Sequence, residues 1–456
     1  MFDAPPLDRE ADVRAHRSLL VVIWLAVLGH STVVAAADAP EKRPVPDYDG
    51  RDEGTTVGEI ALWVPRILLY PAYLVSEYVI RRPIGALIVA AERSQVPRAL
   101  YDFFMLAEDK SAGWAPIAFY DFGFQPSVGV YVFWDDAFTR GNDLRTHVST
   151  WGVHWLAGSV TDRIHLGSLD TLTVEASGVR RPDYEYYGEG PSSLDRNLSR
   201  YGSDRLEASV AYEGGFGGAN RIETGIGLRR VTFHEPDPEY TSTRERAARG
   251  VFALPPGFDT GYRAGYSRLA VRLDSRKARS RVGSGFRLDL DAEQGSAPGR
   301  TPVGWLRYGG IAGAFVDLNG QGRTLSLSIA THFSDPLVDR PVPFTELVQL
   351  GGQEAMRGFL PGRLFGRSAV AATLGYHWPV WTWLNGTMQA AVGNVFGEHL
   401  RDFDPALLRF SWALGVETVG FSDNPVEMLV GFGTETFEHG AQLTSLRFVL
   451  GTSHAF

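Results

Sequence analysis

The sequence predicts an all-β fold, a sixteen-stranded antiparallel transmembrane β-barrel preceded by a short N-terminal helical periplasmic segment. Two observations carry this. Apolar and polar residues alternate at every second position through many segments, as a wall between lipid and a wet lumen requires. Those segments are joined by short turns that alternate with longer loops, as expected when both ends of the chain lie on one side of the membrane. Composition narrows the class: there is no cysteine and hence no disulfide framework, and there are 51 glycines, 17 Tyr, 26 Phe and 11 Trp.

At the N-terminus, Arg14, His16 and Arg17 precede the apolar run Ser18 to Gly29 and the small-residue stretch Val34-Ala35-Ala36-Ala37. This is the layout of a secretory signal, residues 1–37, with cleavage expected after Ala37. The run is too short to cross a bilayer as a helix, which needs about 20 residues. The acidic lead-in Phe2 to Asp12 is not needed by a signal and points to a start codon placed too early. Residues 38–56 are polar and proline-rich, a linker. Residues 57–112 read as a periplasmic helical segment. Ile60, Leu62, Trp63, Val64, Ile67, Leu68 and Leu69 cluster at helical spacing, interrupted by Pro65 and Pro71, and the runs Pro83 to Arg93 and Pro97 to Leu106 each open on a proline suited to a helix start. Two placements have equal support: a cap packed under the barrel, or helices lying on the inner leaflet with Arg66, Arg81, Arg82 and Arg93 at lipid headgroups.

The barrel is expected over residues 113–456. Strands are read near 115–123, 125–136, 143–152, 154–166, 168–179, 201–214, 220–234, 258–273, 283–293, 303–318, 322–333, 368–378, 386–396, 408–419, 425–437 and 443–456. In 323–333, Leu325, Leu327 and Ile329 alternate with Thr324, Ser326 and Ser328; in 205–213, Leu206, Ala208, Val210 and Tyr212 alternate with polar partners. From the fifth strand on, the long connections fall on one side: Arg180 to Ser199, Glu235 to Gly257, Gln294 to Pro302, Ser334 to Arg367, Gly397 to Leu407 and Glu438 to Gln442. Short turns such as Gly215-Phe216-Gly217-Gly218 lie between them. The first strand contains Pro116, which cannot donate to a strand pair. The chain closes with Phe448, Leu450 and terminal Phe456, a pattern similar to the C-terminal strand signal of outer-membrane barrels, although Thr452 and His454 depart from it.

The most informative stretch is Pro343-Phe344-Thr345-Glu346-Leu347-Val348-Gln349-Leu350-Gly351-Gly352-Gln353-Glu354-Ala355-Met356-Arg357-Gly358-Phe359, between the eleventh and twelfth strands. A guanidinium drawn into a lumen needs carboxylate or carbonyl partners, and Gly358 lets the backbone turn tightly beside it. Gly351, Gly352, Met356, Arg357, Gly358 and Phe359 resemble the sixth-loop motif of the bacterial surface antigen family, the BamA/TamA-type barrels. Tyr186-Tyr187-Gly188-Glu189-Gly190 and Gly393-Asn394-Val395-Phe396 resemble further features of that family. The resemblance spans about the last three quarters of the chain. It implies a long external loop folded back into the lumen and a role in inserting, assembling or translocating outer-membrane proteins. In the family this arginine meets acids on strands twelve and thirteen; the matching positions here are Gly375 and Ala391, neither of which can accept the charge. Inward-facing Glu417, Glu427 and Glu435 are therefore the candidate partners of Arg357. No strand pair in residues 38–112 fits the mixed sheet of a polypeptide-transport-associated (POTRA) domain.

Several classes are excluded or set aside. A net charge of -9 argues against nucleic acid. No nucleophile elbow, phosphate loop or paired metal histidines is present, so no catalytic residue, cofactor or metal is assigned. His332, Asp335 and Asp339 lie close together at the base of the sixth loop, where they have the types to coordinate a cation, but they are read as a hydrated loop rim. The expected partners are outer-membrane lipids, with unfolded outer-membrane proteins or a periplasmic protein as the macromolecular candidates. The alternatives to assembly are a structural or lipid-handling barrel that docks a partner, a passive pore and, more remotely, an outer-membrane esterase. The expected location is the bacterial outer membrane, after export through the cleaved signal.

Overall fold

The computed structural model describes residues 102–456 except 277–282, 298–301, 321, 354, 382–383, 420–424 and 453–456. The expected signal and linker, most of the expected helical segment, and Phe456 lie outside the described residues. The chain divides into two compact units, Met1–Pro116 and Ile117–Phe456. In the first, Phe103, Phe104 and Trp114 pack edge to face with centroids 5.0–5.6 Å apart, and Met105 bridges Gly113.

Sixteen strands close the barrel. They are β1 (Ala112–Asp121), β2 (Ser127–Trp134), β3 (Asn142–Thr150), β4 (Leu156–His165), β5 (Asp170–Tyr186), β6 (Ser199–Gly215), β7 (Arg221–His234), β8 (Tyr262–Asp274), β9 (Gly285–Ala297), β10 (Val303–Asp317), β11 (Thr324–Pro336), β14 (Ser368–Trp381), β15 (Leu384–Phe396), β16 (Arg409–Thr418), β17 (Val426–Thr434) and β18 (Leu443–Thr452). The remaining two, β12 (Val348–Leu350) and β13 (Leu364–Gly366), form a small hairpin inside the sixth external loop. Each barrel strand pairs antiparallel with its neighbours, and β1 closes the ring on β18. That closure satisfies the edge hydrogen-bonding groups, which lipid could not.

The pleat sorts side chains as the alternation predicts. Leu325, Leu327 and Ile329 of β11 and Leu206, Val210 and Tyr212 of β6 are exposed on the outer face. On β18, Leu446 is exposed outward while the alternate residues Ser445, Arg447 and Val449 are buried inward. The expected short turn Gly215-Phe216-Gly217-Gly218 joins β6 to β7, with Gly217 and Gly218 both in the left-handed region (φ 68° and 63°) that a tight hairpin demands.

Two expectations need correction. The connection read as Gln294 to Pro302 is shorter, because β9 continues to Ala297 and β10 begins at Val303. The connection Arg180 to Ser199 likewise shrinks, because β5 runs on to Tyr186. In both cases the strand extends beyond the apolar belt, where no lipid enforces apolar residues on the outer face, so the periodic signal stops before the hydrogen-bonded ladder does. The fourth external connection also contains a short helix, Thr243–Ala248, capped by the Ser242 side chain, which accepts from the Glu245 amide.

Reversing one outward residue tests the assigned faces. Ile329→Arg, near the middle of β11, is expected to cost about 2–4 kcal/mol in reversible unfolding from lipid vesicles, and Ser328→Arg on the wet face much less. Equal costs at the two positions would contradict the assignment.

Candidate functional site

The site is built on the sixth external loop, residues 337–367, which leaves β11 and returns to β14. Its chain runs inside the barrel. Phe344, Met356, Phe359 and Leu364 are fully buried, and Val348, Leu350, Met356, Phe359 and Leu364 pack on Ala369 and Ala371 of β14 and on Ala391 and Val395 of β15. Ala391, where an acid would be expected by family resemblance, is thus part of an apolar seat.

The motif makes a compact turn. Gly351 and Gly352 adopt φ of 101° and 69°, conformations that cost glycine little. The Gly351 amide donates to the Ala355 carbonyl at 3.0 Å, the Gly352 amide to the Phe359 carbonyl at 2.9 Å, and the Phe359 amide to the Met356 carbonyl at 3.0 Å. Gly358 lies flat on the wall. Its amide donates to Ser411 Oγ at 2.9 Å and its carbonyl accepts from Ser445 Oγ at 3.1 Å. A Cβ at this position would stand 2.0 Å from the Phe432 carbonyl oxygen and 2.8 Å from that of Trp412. The wall is shaped to match: a Cβ on Gly431 would come within 3.0 Å of Gly358 Cα, and one on Gly433 within 2.4 Å of the Phe359 ring.

Three groups of charges hold the loop. Arg357 donates from Nη2 to Glu427 Oε1 on β17, both side chains being largely buried. Of the other candidate acids, Glu417 stands opposite Glu427 in the β16–β17 register, and Glu435 is engaged elsewhere. Glu435 accepts from Arg409 Nη1, from Arg363 Nη2 at 3.4 Å and from the Asp195 amide at 2.8 Å. Burial pushes Glu435 up, but the Asp195 amide and the guanidinium groups of Arg409 and Arg363 outweigh it and hold the carboxylate below the usual glutamate range. Arg409 and Arg363 also donate to the Ser193 carbonyl at 2.6 and 3.1 Å, which ties the third external loop into the same junction.

The second group grips the descending limb. Buried Glu346 receives Arg229 Nη1 of β7 at 2.8 Å, lies 3.6 Å from Arg307 Nη1 of β10, and accepts from the Tyr262 hydroxyl of β8. Arg229 is shared with Glu207 and Glu293, each within 3.3 Å. Glu346 was present in the informative stretch, yet nothing in its spacing marked it as the loop's second anchor; an inward Arg229 on the facing strand was the available signal.

The third group joins the loop to the barrel seam, and sequence reasoning missed it. Arg447 of β18 donates to Asp121 of β1 through Nε at 3.1–3.2 Å and Nη2 at 2.8 Å. Its Nη1 donates to the carbonyls of Gly352 and, at 3.1 Å, Arg357. Both side chains are only 2% exposed. The seam is described by the register pairs Phe119 with Gly451, Tyr120 with Leu450 and Asp121 with Val449, and by the Phe122 amide donating to the Phe448 carbonyl at 2.8 Å. Phe448 and Leu450 therefore belong to the seam-forming strand.

The residues His332, Asp335 and Asp339 do not converge. His332 pairs with Asp291 at 3.0 Å, whereas Asp335 gathers with Glu398 and His399. Arg367 already reaches Asp335 at 3.0 Å and Glu398 at 3.4 Å, supplying the positive charge those acids need.

Fold and site together define a sixteen-stranded outer-membrane barrel whose sixth external loop occupies the lumen. Residues 165–418, more than half of the chain, match the model of the Omp85 superfamily domain, and the chain belongs to that superfamily. Among solved structures it is similar to BamA of Haemophilus ducreyi lacking POTRA domains 1–3, at 14% identity and TM-score 0.52, over 75% of this chain and 70% of that one. It also matches CdiB of Acinetobacter baumannii (12% identity, TM-score 0.46) and CdiB of Escherichia coli (10%, 0.48), in each case over 75% of this chain and over 59% and 62% of theirs. At these identities the likeness concerns the fold. No curated protein matches the sequence.

Gly358→Ala is expected to unseat the tip, because the added carbon overlaps wall backbone rather than a movable side chain. The heat-resistant folded fraction on unboiled gels should fall, while Gly265→Ala on the outer face of β8, where the nearest atom to the added carbon would be Leu228 Cδ2 at 3.8 Å, should leave it unchanged. Wild-type heat resistance in Gly358→Ala would show that the tip does not sit against the wall.

Proposed function

We propose that this barrel inserts or assembles proteins in the outer membrane, with the β1–β18 seam as its working edge and the sixth-loop tip as the element that sets the state of that edge. The observation that supports this reading is the double engagement of Arg447. One guanidinium closes the seam through Asp121 and holds the loop through the carbonyls of Gly352 and Arg357. Separating β1 from β18 removes Asp121 from that guanidinium, so the loop's anchor and the seam's closure are energetically linked. Membership in the Omp85 superfamily and the resemblance of the barrel to BamA point the same way. A passive pore is less well supported, because the loop and its apolar seat occupy the lumen.

The test uses the absence of native cysteine. Tyr120 and Leu450 are register partners across the seam, and cross-strand partners stand about 4.5–5.5 Å apart, within reach of a disulfide. The Tyr120→Cys, Leu450→Cys protein, placed in vesicles, is assayed for the rate at which an unfolded outer-membrane protein becomes protease-resistant. Oxidation should slow insertion several-fold and reduction should restore it. Equal rates in both states would contradict a role for the seam, and acceleration no greater than that of empty vesicles would contradict an assembly role altogether.

A further inference from the structure

A different face of the barrel carries a cationic site. On β7 the outward residues run Ile226, Leu228, Arg230 toward the external end; Ile226 and Leu228 are 66% and 68% exposed, the apolar belt. On β8 the outward residues Leu269, Ser267 and Gly265 lead to Arg263 at the same end. Arg230 and Arg263 are direct register partners. Two like charges opposite each other on one face repel and destabilise a strand pair unless something of opposite charge lies between them.

Among the described residues no protein acid hydrogen-bonds or ion-pairs with either arginine, although Asp204 attracts Arg230 from a distance. The acid diagonal to Arg230 is Asp204, opposite Thr232, and it is already taken by Arg180 through bonds of 2.7 and 3.1 Å. The side chains of Arg263 and Arg340 have no hydrogen-bonding or ion-pair partner among the described residues. All three arginines line one cavity of about 610 Å³, bounded by Pro256, Gly257 and Pro343 of the fourth and sixth loops.

We propose that Arg230, Arg263 and Arg340 hold the phosphate of an outer-leaflet lipid headgroup. Guanidinium forks match phosphate oxygens in a bidentate way. Their height on the barrel selects a lipid over a soluble anion: Arg230 is the first outward residue of β7 beyond Leu228, with Arg263 beside it in register, where headgroups meet the wall, and a lipid held there keeps its chains against Leu228 and Ile226. The sixth loop contributes Arg340, so headgroup binding also fastens the outer end of the loop whose tip sits in the lumen.

The probe is bisphosphorylated lipid A, with its dephosphorylated form as the control. Wild-type protein and the Arg230→Gln, Arg263→Gln, Arg340→Gln triple variant are folded into phosphatidylcholine vesicles containing a minor fraction of either lipid. They are then extracted in mild detergent, and retained lipid is counted by mass spectrometry. Wild type should retain the phosphorylated form several-fold over the dephosphorylated one, and the triple variant should lose that preference. Equal retention of both lipids by wild type, or an unchanged preference in the variant, overturns the proposal. Complete displacement by excess inorganic phosphate also overturns it, since the site would then be one for a soluble anion. If the triple variant fails to reach the heat-resistant form, Arg340→Gln alone, a loop substitution, is read in the same way and should show a partial loss.

Discussion

The interaction on which the rest of the structure depends is the buried guanidinium of Arg447. A charge taken out of water must be fully paired, and leaving its partner buried alone costs about 3–5 kcal/mol. Here the pairing set spans three parts of the molecule: Asp121 on the first strand, Arg447 itself on the last, and the carbonyls of Gly352 and Arg357 in the sixth loop. Closing the ring and seating the loop thereby satisfy the same group. Neither can be undone without exposing a charge that the other needs, and this makes a β-barrel, otherwise a uniform ladder of backbone hydrogen bonds, sensitive to one junction.

The loop is held from two sides, and the two grips differ in kind. Glu346, on the descending limb, sits among Arg229, Arg307 and Tyr262 from three strands, a network whose arginines also pair with Glu207 and Glu293. The tip depends more on shape. Gly431 and Gly433 lack the side chains that would block Gly358 and Phe359, and the alanines of β14 and β15 form the floor beneath Met356 and Phe359. Arg357 adds one ion pair to Glu427.

Much of the barrel was legible because lipid enforces it. The outward positions of β6, β9 and β11 must be apolar, so the period of two is written into the sequence, and all sixteen strands were read near their observed ranges. Where lipid ends, so does the signal: the tails of β5 and β9 extend as far as Tyr186 and Ala297 with no apolar alternation to announce them. The site was legible only in outline. Pleat parity places Glu417, Glu427 and Glu435 on the inner face alike, but which one meets Arg357 depends on depth in the lumen, and depth is set by where the loop's other contacts hold it. Arg447 was hidden for a related reason. Parity marks it as inward, yet its partner Asp121 lies 326 positions away in the chain, and only closure of the ring brings the first and last strands together.

The measurement that bears most directly on a loop-filled lumen coupled to the seam is single-channel conductance in planar bilayers, for the wild type and for a deletion of Gly351 to Gly362. A small, flickering wild-type conductance that becomes large and steady on deletion is the expected result. Large and steady conductance in both proteins would contradict it, because the lumen would then be open with the loop in place.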